Sequence, residues 1–325
     1  MKNYSNELSY LLKQKTLLKQ KKKNKITVAI IGAGPAGIAA AVQLKRAGIG
    51  FLLFEKNKPG GLLNNASYVE NYPGFPSGIK GVDLVKKFLE QLVNLHIKVR
   101  TEKVRNLSLL KKEIRISTDK GEYYTSYLII ASGTKPKKFP ADNGDIKIHY
   151  DITSLTKTHN KNIIIIGGGD AAFDYAVSLA ERNNKIKILH RGNYPVCIAS
   201  LLRKASKIKE IHYFGNTEVI DIKKSTSEAL CFNKISQKHY SLKFDIVVAA
   251  IGRESELGFA DKMIKKYIES ENNNRIFLAG DVINGKYRQV SISTGDGIKC
   301  AMEIIDPPVF VRQRKHPETK LKIQL

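Results

Sequence analysis

A glycine-rich turn near the start of the chain has the residue types and spacing needed to bind a pyrophosphate. It lies in TVAIIGAGPAGI, residues 27–38, where apolar, β-favouring residues lead into glycines and then into a helical pattern. The first glycine permits a tight turn, the second lets backbone N–H groups approach the phosphates, and the third lets helix and strand pack closely. Free N–H groups and the positive end of the helix dipole face the anion. The sequence thus predicts a dinucleotide site at Gly32, Gly34, Ala36 and Gly37.

The same pattern occurs a second time, in NIIIIGGGDAAFDYA at residues 162–176. A single GxGxxG is a weak signal, because glycine at a strand-to-helix turn can be purely architectural. Two copies of the motif, each after the pattern of a buried strand, are a much stronger signal. The sequence therefore predicts a second dinucleotide site, at Gly167, Gly169, Asp170 and Ala171.

The residues at the end of the next strand in each unit indicate which nucleotide binds. Glu55, followed by Lys56, closes the pattern GFLLFEK about 20 positions after the first turn, where a carboxylate accepts from an unphosphorylated ribose. In the second unit the strand pattern at 185–189 ends in His190 and Arg191, with no carboxylate. An arginine there would attract a 2′-phosphate, although it could also be merely solvated. We therefore expect FAD at the first site and NADPH at the second, with NADH as the alternative.

Three cysteines, Cys197, Cys231 and Cys300, are far apart in the sequence. They form neither a disulfide framework nor a metal-binding pattern, and this usage suits the reducing cytoplasm. Cys300 lies in an apolar helical pattern and is expected to be a buried packing residue. Cys197 follows a basic segment, where positive charge would lower the pKa of a thiol. We therefore expect a cytoplasmic protein with no metal site.

The charge balance favours an acidic partner. Lysine and arginine number 55 against 30 aspartates and glutamates, which gives a formal net charge of +25. Such a field accelerates encounters with acidic surfaces, although a general lysine bias would give the same composition. The sequence contains no nucleic-acid-binding motif and no apolar run of the roughly 18 residues that a spanning helix needs. We expect no specific nucleic acid partner and no transmembrane segment.

Residues 1–24 form a basic extension that differs in composition from the rest of the chain. Leucines at partly helical spacing lead into a lysine run, and the apolar core of a secretion signal is missing. The extension is expected to pack on the protein or to fray. The alternative is an amphipathic helix that makes weak contact with an anionic membrane surface.

Alternating strand and helix patterns after the extension predict an α/β fold with parallel sheets. The pattern restarts at the second glycine turn, and the C-terminal part contains a strand and a helix but no third turn of this kind. We expect two Rossmann-like, three-layer domains: a first domain of residues 25–150 and 249–325 that binds FAD, and a second domain of residues 151–248 that binds NAD(P)H and is inserted into it. Connections near 134–155 and 244–255 would form a double hinge. Within the first domain a β-meander at 102–127 precedes a separate strand at 127–131.

Residues 25–305 resemble the thioredoxin-reductase-like flavoproteins. Besides GAGPAG, the segments GGLLNNASYVENYPGFPSGIKGVDL at 60–84 and GDVINGKYRQVSISTGDG at 280–297 are similar to the flavin-contacting motifs of that family. The resemblance implies FAD and NAD(P)H as cofactors and a homodimer. It also implies that FAD is contacted by Glu55, Lys56, Gly61, Leu62, Asn71, Val104, Gly133, Gly280, Asp281, Arg288, Gln289 and Val290, and NAD(P)H by the second turn with His190 and Arg191.

One departure from that family changes the expected activity. Thioredoxin reductases carry a Cys-x-x-Cys about 17 residues before the second turn, and here residues 150–153 are Tyr-Asp-Ile-Thr. The segment instead resembles the ferredoxin (flavodoxin)-NADP reductases of this type. That resemblance implies electron transfer from NADPH through FAD to an acidic carrier, ferredoxin or flavodoxin, without a dithiol relay and with no catalytic side chain.

Several alternatives remain open at the level of sequence. The protein could reduce a small molecule, or a thiol through Cys197. It could also be a flavin-binding sensor or interaction protein without turnover, because the basic motif after Arg191 is weak. Arg203 and Lys204 could supply contacts to a 2′-phosphate, and Phe310 or His316 from the tail could cover the flavin.

Overall fold

The computed structural model describes residues 25–142, 144 and 146–306. The basic extension at 1–24 and the tail residues Phe310 and His316 lie outside the described part of the chain. Within that part, no helix combines the length and the apolar character that crossing a bilayer requires.

The strands of the described chain, numbered in order, are β1 (Lys25–Ile31), β2 (Phe51–Glu55), β3 (Val99–Thr101), β4 (Val104–Leu109), β5 (Ile114–Thr118), β6 (Glu122–Ile130), β7 (Thr134–Pro136), β8 (Ile148–His149), β9 (Asn162–Ile166), β10 (Lys185–Leu189), β11 (Ile211–Phe214), β12 (Thr217–Lys223), β13 (Glu228–Asn233), β14 (Lys238–Lys243), β15 (Ile246–Ala249), β16 (Arg253–Ser255) and β17 (Ile276–Leu278). The α-helices are α1 (Pro35–Arg46), α2 (Gly81–Asn94), α3 (Asp170–Ala180), α4 (Ala199–Ser206), α5 (Lys262–Ile268) and α6 (Val290–Ile305). Short 3₁₀ helices span Gly61–Asn65, Thr153–Leu155 and Gly280–Val282.

The first domain is built on a mixed sheet with β1 and β6 at its centre. The order β3-β2-β1-β6 is parallel, and on the far side of β6 lie both the antiparallel strand β5, next to β4, and the parallel strand β17. The central strands are apolar on both faces because α1 and α6 cover one face and α5 with loop residues covers the other. Helix α1 begins at Pro35, whose missing N–H costs nothing in a first helical turn, and ends in Lys45 and Arg46, which suit its C-terminal dipole.

The segment that follows the second domain completes the first. Strand β17 pairs with β6, and α6 packs on α1 so closely that a Cβ added at Gly297 would lie 2.0 Å from the carbonyl oxygen of Ala36. Only glycine allows this approach of the two backbones. The first and last described helices therefore form one layer.

The second domain has three layers. Its sheet is parallel, in the order β11-β10-β9-β15-β8. Because side chains alternate along a strand, Ile163 and Ile165 of β9 pack with α3 and α4, whereas Ile164 and Ile166 pack toward the antiparallel sheet β12-β13-β14. This is the α/β arrangement that the repeated strand-turn-helix pattern predicts.

The chain passes between the two domains through a small antiparallel sheet of β7 and β16. These strands fall within or beside the two connections expected to form a hinge. Strand β8 pairs with β15 in the sheet of the second domain. The chain therefore enters the second domain before residue 148, and not between residues 150 and 151. Ala249, which the predicted boundary assigns to the first domain, likewise ends strand β15 of the second.

Candidate functional site

A cavity of about 1580 Å³ lies where the carboxyl ends of both parallel sheets meet. This volume exceeds the roughly 300–1,000 Å³ of ordinary small-molecule sites and gives room for two nucleotides. Ligands of open α/β sheets bind at this edge. The sequence-predicted contact residues that line the cavity are Gly32, Gly34, Ala36, Glu55, Lys56, Gly61, Leu62, Asn71, Gly133, Gly167, Gly169, Asp170, Ala171, His190, Arg191, Asp281, Arg288, Gln289 and Val290.

Three predicted contact residues do not line the cavity. Gly37 faces the protein, because a Cβ there would lie 1.8 Å from the carbonyl oxygen of Gly32. Val104 is buried in the apolar core of the first domain. Gly280 holds a backbone turn with φ of +78°, packed against Ala36.

The first glycine turn has separate positions for folding and for a ligand. Gly32 has φ of +102°, and a Cβ there would lie 2.3 Å from the carbonyl oxygen of Ala131. At Gly34, by contrast, the nearest atom to a Cβ is 4.0 Å away, so this glycine faces the open cavity at the start of α1. Backbone N–H groups can therefore approach an anion at this turn.

The second glycine turn repeats this division. Gly167 has φ of +142°, and a Cβ would lie 2.4 Å from the carbonyl oxygen of Ala250, whereas a Cβ at Gly169 meets nothing within 4 Å. The imidazole of His190 packs against Gly168, and its Nδ1 lies 2.9 Å from the hydroxyl of Tyr213. Burial lowers the pKa of His190, and Arg191 lowers it further. Arg191 is therefore the side chain at this strand end that can offer charge to a 2′-phosphate.

Glu55 is positioned for a ribose. Its side chain is buried, with Oε2 accepting from the backbone N–H of Ala33 at 2.8 Å and Oε1 from that of Asn57 at 2.9 Å. Each carboxylate oxygen keeps lone-pair capacity for a further donor. The carboxylate is thus fixed in orientation and can still accept from ribose hydroxyls in the cavity.

The far end of the first nucleotide site is formed by two segments joined by a side-chain hydrogen bond. Asn71 Nδ2 donates to Gln289 Oε1 at 2.8 Å, and Gln289 is the N-cap of α6. Asp281 accepts from the hydroxyl of Ser293 at 3.1 Å, and burial raises the pKa of the Asp281 carboxyl. The N-terminus of α6 faces the cavity here and can stabilise negative charge on a bound ring.

Two acceptors in this region have no partner among the described residues. The side-chain Oδ1 atoms of Asn64 and Asn65 are buried, line the cavity and receive no hydrogen bond. An unsatisfied buried acceptor costs about 1–3 kcal/mol, so native proteins normally supply a donor. The N–H group of an isoalloxazine ring is such a donor, and the residues present therefore fit FAD. Sequence reasoning missed both asparagines because no spacing rule marks them.

Residues 150–153, which are expected from the sequence to correspond to the family's cysteine pair, form a polar turn. Asp151 Oδ1 accepts from the backbone N–H of Thr153 at 3.0 Å and from its hydroxyl at 2.6 Å, which starts the 3₁₀ helix Thr153–Leu155. The hydroxyl of Tyr150 donates to Asp142 at 2.7 Å. These hydrogen bonds satisfy the side chains within the turn.

The cysteines are poorly suited to thiol chemistry. Cys197 is half-buried, and burial and the nearby Asp170 both raise the pKa of its thiol. The expectation of a lowered pKa at Cys197 is wrong, because burial raises the pKa of this thiol and Asp170 adds to that effect. Burial raises the pKa of Cys231 to about 11 and that of Cys300 to about 12. Among the described residues, no group of three or more His, Cys, Asp or Glu side chains is arranged to hold a metal ion.

Arg253 and Tyr175 lie between the two nucleotide sites, and sequence reasoning missed both. Arg253, on hinge strand β16, donates from Nε to the hydroxyl of Thr134 at 2.9 Å and from Nη2 to its carbonyl oxygen at 2.8 Å. Burial lowers the pKa of Arg253 and raises that of Tyr175 to about 12. Both side chains line the cavity. They bring a positive charge and a hydroxyl to the junction of the domains.

Lys204 is paired with an acidic side chain of the first domain. Its ammonium group lies 2.6 Å from Glu70 Oε1, and neither Lys204 nor Arg203 lines the cavity. Of Arg191, Arg203 and Lys204, only Arg191 lines the cavity.

Comparisons with known proteins show which proteins this chain resembles. The thioredoxin reductase of Borreliella burgdorferi is 30% identical over 294 residues, which cover 85% of this chain and 90% of that protein. A 34.2 kDa protein in the rubredoxin operon of Clostridium pasteurianum is 29% identical over 301 residues, covering 87% of this chain and 97% of that protein. The crystal structure of Lactococcus lactis thioredoxin reductase in its FR conformation matches with a TM-score of 0.77 at 26% identity, covering 86% of this chain and 97% of that one.

The match also identifies the cofactors. Enzymes of the thioredoxin reductase family bind FAD and NADPH, the two nucleotides that the glycine turns and strand ends predict. The family model for pyridine nucleotide-disulphide oxidoreductases matches residues 26–297, which include both turns and both flavin motifs. The chain therefore belongs to the pyridine nucleotide-disulphide oxidoreductase family, as a thioredoxin-reductase-like, FAD-dependent oxidoreductase.

Proposed function

We propose that this protein transfers electrons from NADPH through FAD to a separate one-electron carrier, ferredoxin or flavodoxin, without a cysteine of its own in the path. The observation that supports this most strongly is the polar turn at residues 150–153, which holds Tyr, Asp, Ile and Thr where thioredoxin reductases carry a cysteine pair. The raised pKa of Cys197 argues against a replacement thiol. Electrons must then leave the flavin directly for an external acceptor.

When bound, FAD accepts two electrons and a proton from NADPH as a hydride and can release the electrons singly. The side chains of the chain bind and orient the two nucleotides rather than acting as acid or base. Glu55 would fix the ribose of FAD, Asn65 and the N-terminus of α6 would hold the ring, and Arg191 would attract the 2′-phosphate of NADPH. Proximity and orientation supply the rate in such a site.

The choice of acceptor rests on charge and on the relatives. The net charge of +25 favours an acidic carrier. One relative is named for its place in a rubredoxin operon, which adds rubredoxin to the acceptors worth testing. Other relatives are named thioredoxin reductases, so oxidised thioredoxin is the critical competitor.

Anaerobic stopped-flow spectroscopy tests the proposal. NADPH should bleach the visible absorbance of bound FAD, and mixing with ferredoxin or flavodoxin should restore it within the turnover time. Oxidised thioredoxin should not restore it. Reoxidation by thioredoxin, but not by the one-electron carriers, would refute the proposal, and the same series with a quinone tests the small-molecule alternative.

We further infer a cytoplasmic homodimer. The three cysteines are free thiols in the described chain, as expected in a reducing compartment, and dimers are what the family resemblance implies. Sedimentation equilibrium of the FAD-loaded protein would test the subunit number.

A further inference from the structure

The segment after the 3₁₀ helix Gly61–Asn65 contacts the second domain directly. The backbone N–H of Ser67 donates to Asp174 Oδ2 of α3 at 3.1 Å, and its hydroxyl donates to Asp174 Oδ1. Lys204 of α4 pairs with Glu70 at 2.6 Å, and its ammonium lies 5.3 Å from the ring centroid of Tyr68. We call these five residues the interdomain clasp: Ser67, Tyr68, Glu70, Asp174 and Lys204.

The clasp joins the parts of the two domains that hold the nucleotides. Asp174 lies one turn beyond Asp170, which opens α3 at the second glycine turn. On the other side, Ser67 follows Asn65 and its unpartnered oxygen, and Glu70 precedes Asn71, which bonds to Gln289. Closing the clasp therefore sets the distance between the second glycine turn and the ring end of the first site.

The two contacts of the clasp differ in strength. Asp174 is half-buried, and burial raises the pKa of its carboxyl, while the two hydrogen bonds from Ser67 oppose that shift. A carboxylate withdrawn from water needs such donors. Asp174 therefore favours the arrangement of the two domains in which Ser67 donates to it. The side chains of Lys204 and Glu70 are 44% and 48% exposed, and exposed pairs contribute little. Asp174 is therefore the main contact and Lys204 the weaker one.

We propose that Asp174 and Lys204 are positioning residues that hold NADPH against the flavin, and that the protein keeps this arrangement throughout turnover. The second half rests on the proposed cysteine-free path: with no cysteine pair on the second domain, no group among the described residues requires that domain to move after hydride transfer. Acceptors would reach the flavin from the loop at 283–288, where Ile283 and Tyr287 are exposed beside the cavity-lining Lys286 and Arg288.

Flavin reduction in single turnover tests the positioning role. At saturating NADPH, Asp174→Ala should lower the reduction rate at least about tenfold, with little change in the Kd of NADPH or in FAD content. Asp174→Asn keeps the shape and one acceptor and should be intermediate. Lys204→Met should have a smaller effect, which Lys204→Arg restores. Glu181→Ala, at the exposed C-cap of α3, is the matched control. An unchanged rate in both Asp174 variants would overturn the positioning role.

Cross-linking tests the single arrangement. In a Cys197→Ser background, Glu70→Cys and Lys204→Cys would be joined by a short bismaleimide. The linked protein should be reduced by NADPH faster than the unlinked double variant and should turn over with ferricyanide. Reduction without reoxidation would overturn the single arrangement. Because ferricyanide is the acceptor, this result is independent of whether ferredoxin or flavodoxin is the carrier.

Discussion

Gly167 and Gly169 of the second turn are glycines for different physical reasons. Gly167 is needed by the fold, since its φ of +142° and the Ala250 carbonyl leave no room for a side chain. Gly169 has an extended backbone and open space around it, so only a ligand would exclude a side chain there. Mutation can therefore separate architecture from binding.

Gly169→Ala should leave FAD content and thermal stability nearly unchanged and raise the Kd of NADPH at least about tenfold, because the added methyl occupies the approach to the pyrophosphate. Gly167→Ala should instead destabilise the protein by about 1–3 kcal/mol through backbone strain. Nucleotide titration and thermal unfolding measure the two effects. Equal loss of stability in both variants would remove Gly169 from the binding site.

Asn65→Leu should have opposite effects on the two forms of the protein. Without FAD, loss of a buried unsatisfied oxygen should raise Tm or leave it unchanged, whereas FAD affinity should fall roughly 5- to 20-fold, equivalent to about 1–2 kcal/mol. Scanning calorimetry of the FAD-free and FAD-loaded proteins measures both. A lower Tm without FAD would mean that Asn65 supports the fold rather than the flavin.

At the scale of elements, local patterns predict the glycine turns, the helices after them and the parallel strands, because each depends on a few neighbouring residues. Local patterns do not predict structure that depends on residues far apart in the sequence. The last strand of the meander, expected at 122–127, and the strand expected at 127–131 form one continuous strand, β6, since β1 pairs along nearly its whole length. Ser67 and Asp174 are 107 positions apart, and the pKa of Cys197 is raised by burial and by the distant Asp170. The spacing of neighbouring residues carries no information about contacts between residues so far apart in the sequence.

The connection between β3 and β4 is held by a buried carboxylate, which predicts a pH-dependent stability. Glu102 accepts from Arg100 at 2.9 Å, from the hydroxyl of Thr118 at 2.9 Å and from that of Tyr123 at 3.0 Å. Burial raises the pKa of Glu102, but these hydrogen bonds outweigh it and the net pKa is lowered.

A lowered pKa in the folded state means that Glu102 stabilises the fold above its unfolded pKa and loses this effect as pH falls through the folded value. Glu102→Gln should therefore destabilise the protein by about 1–3 kcal/mol near neutral pH, and the difference from wild type should shrink in acid. Denaturant unfolding at several pH values gives the comparison. A difference that is constant with pH would exclude the charge as its cause.

At the scale of the whole molecule, the net charge of +25 predicts that association with an acidic carrier depends on ionic strength. The second-order rate of reoxidation by flavodoxin should fall at least about tenfold between roughly 0.02 and 0.5 M salt, since screening removes long-range attraction. Reoxidation by a neutral quinone is the control and should change little. A flavodoxin rate that is insensitive to salt would show that the charge does not guide docking.

The contact between Gly297 and Ala36 has a consequence for how the protein is made. The second domain is one uninterrupted stretch of chain with its own core, so we expect it to fold while synthesis continues. The first domain at that moment still lacks β17 and the helix that must press against α1. We therefore expect stable binding of FAD to be a late event in biogenesis, once the chain has emerged through residue 305.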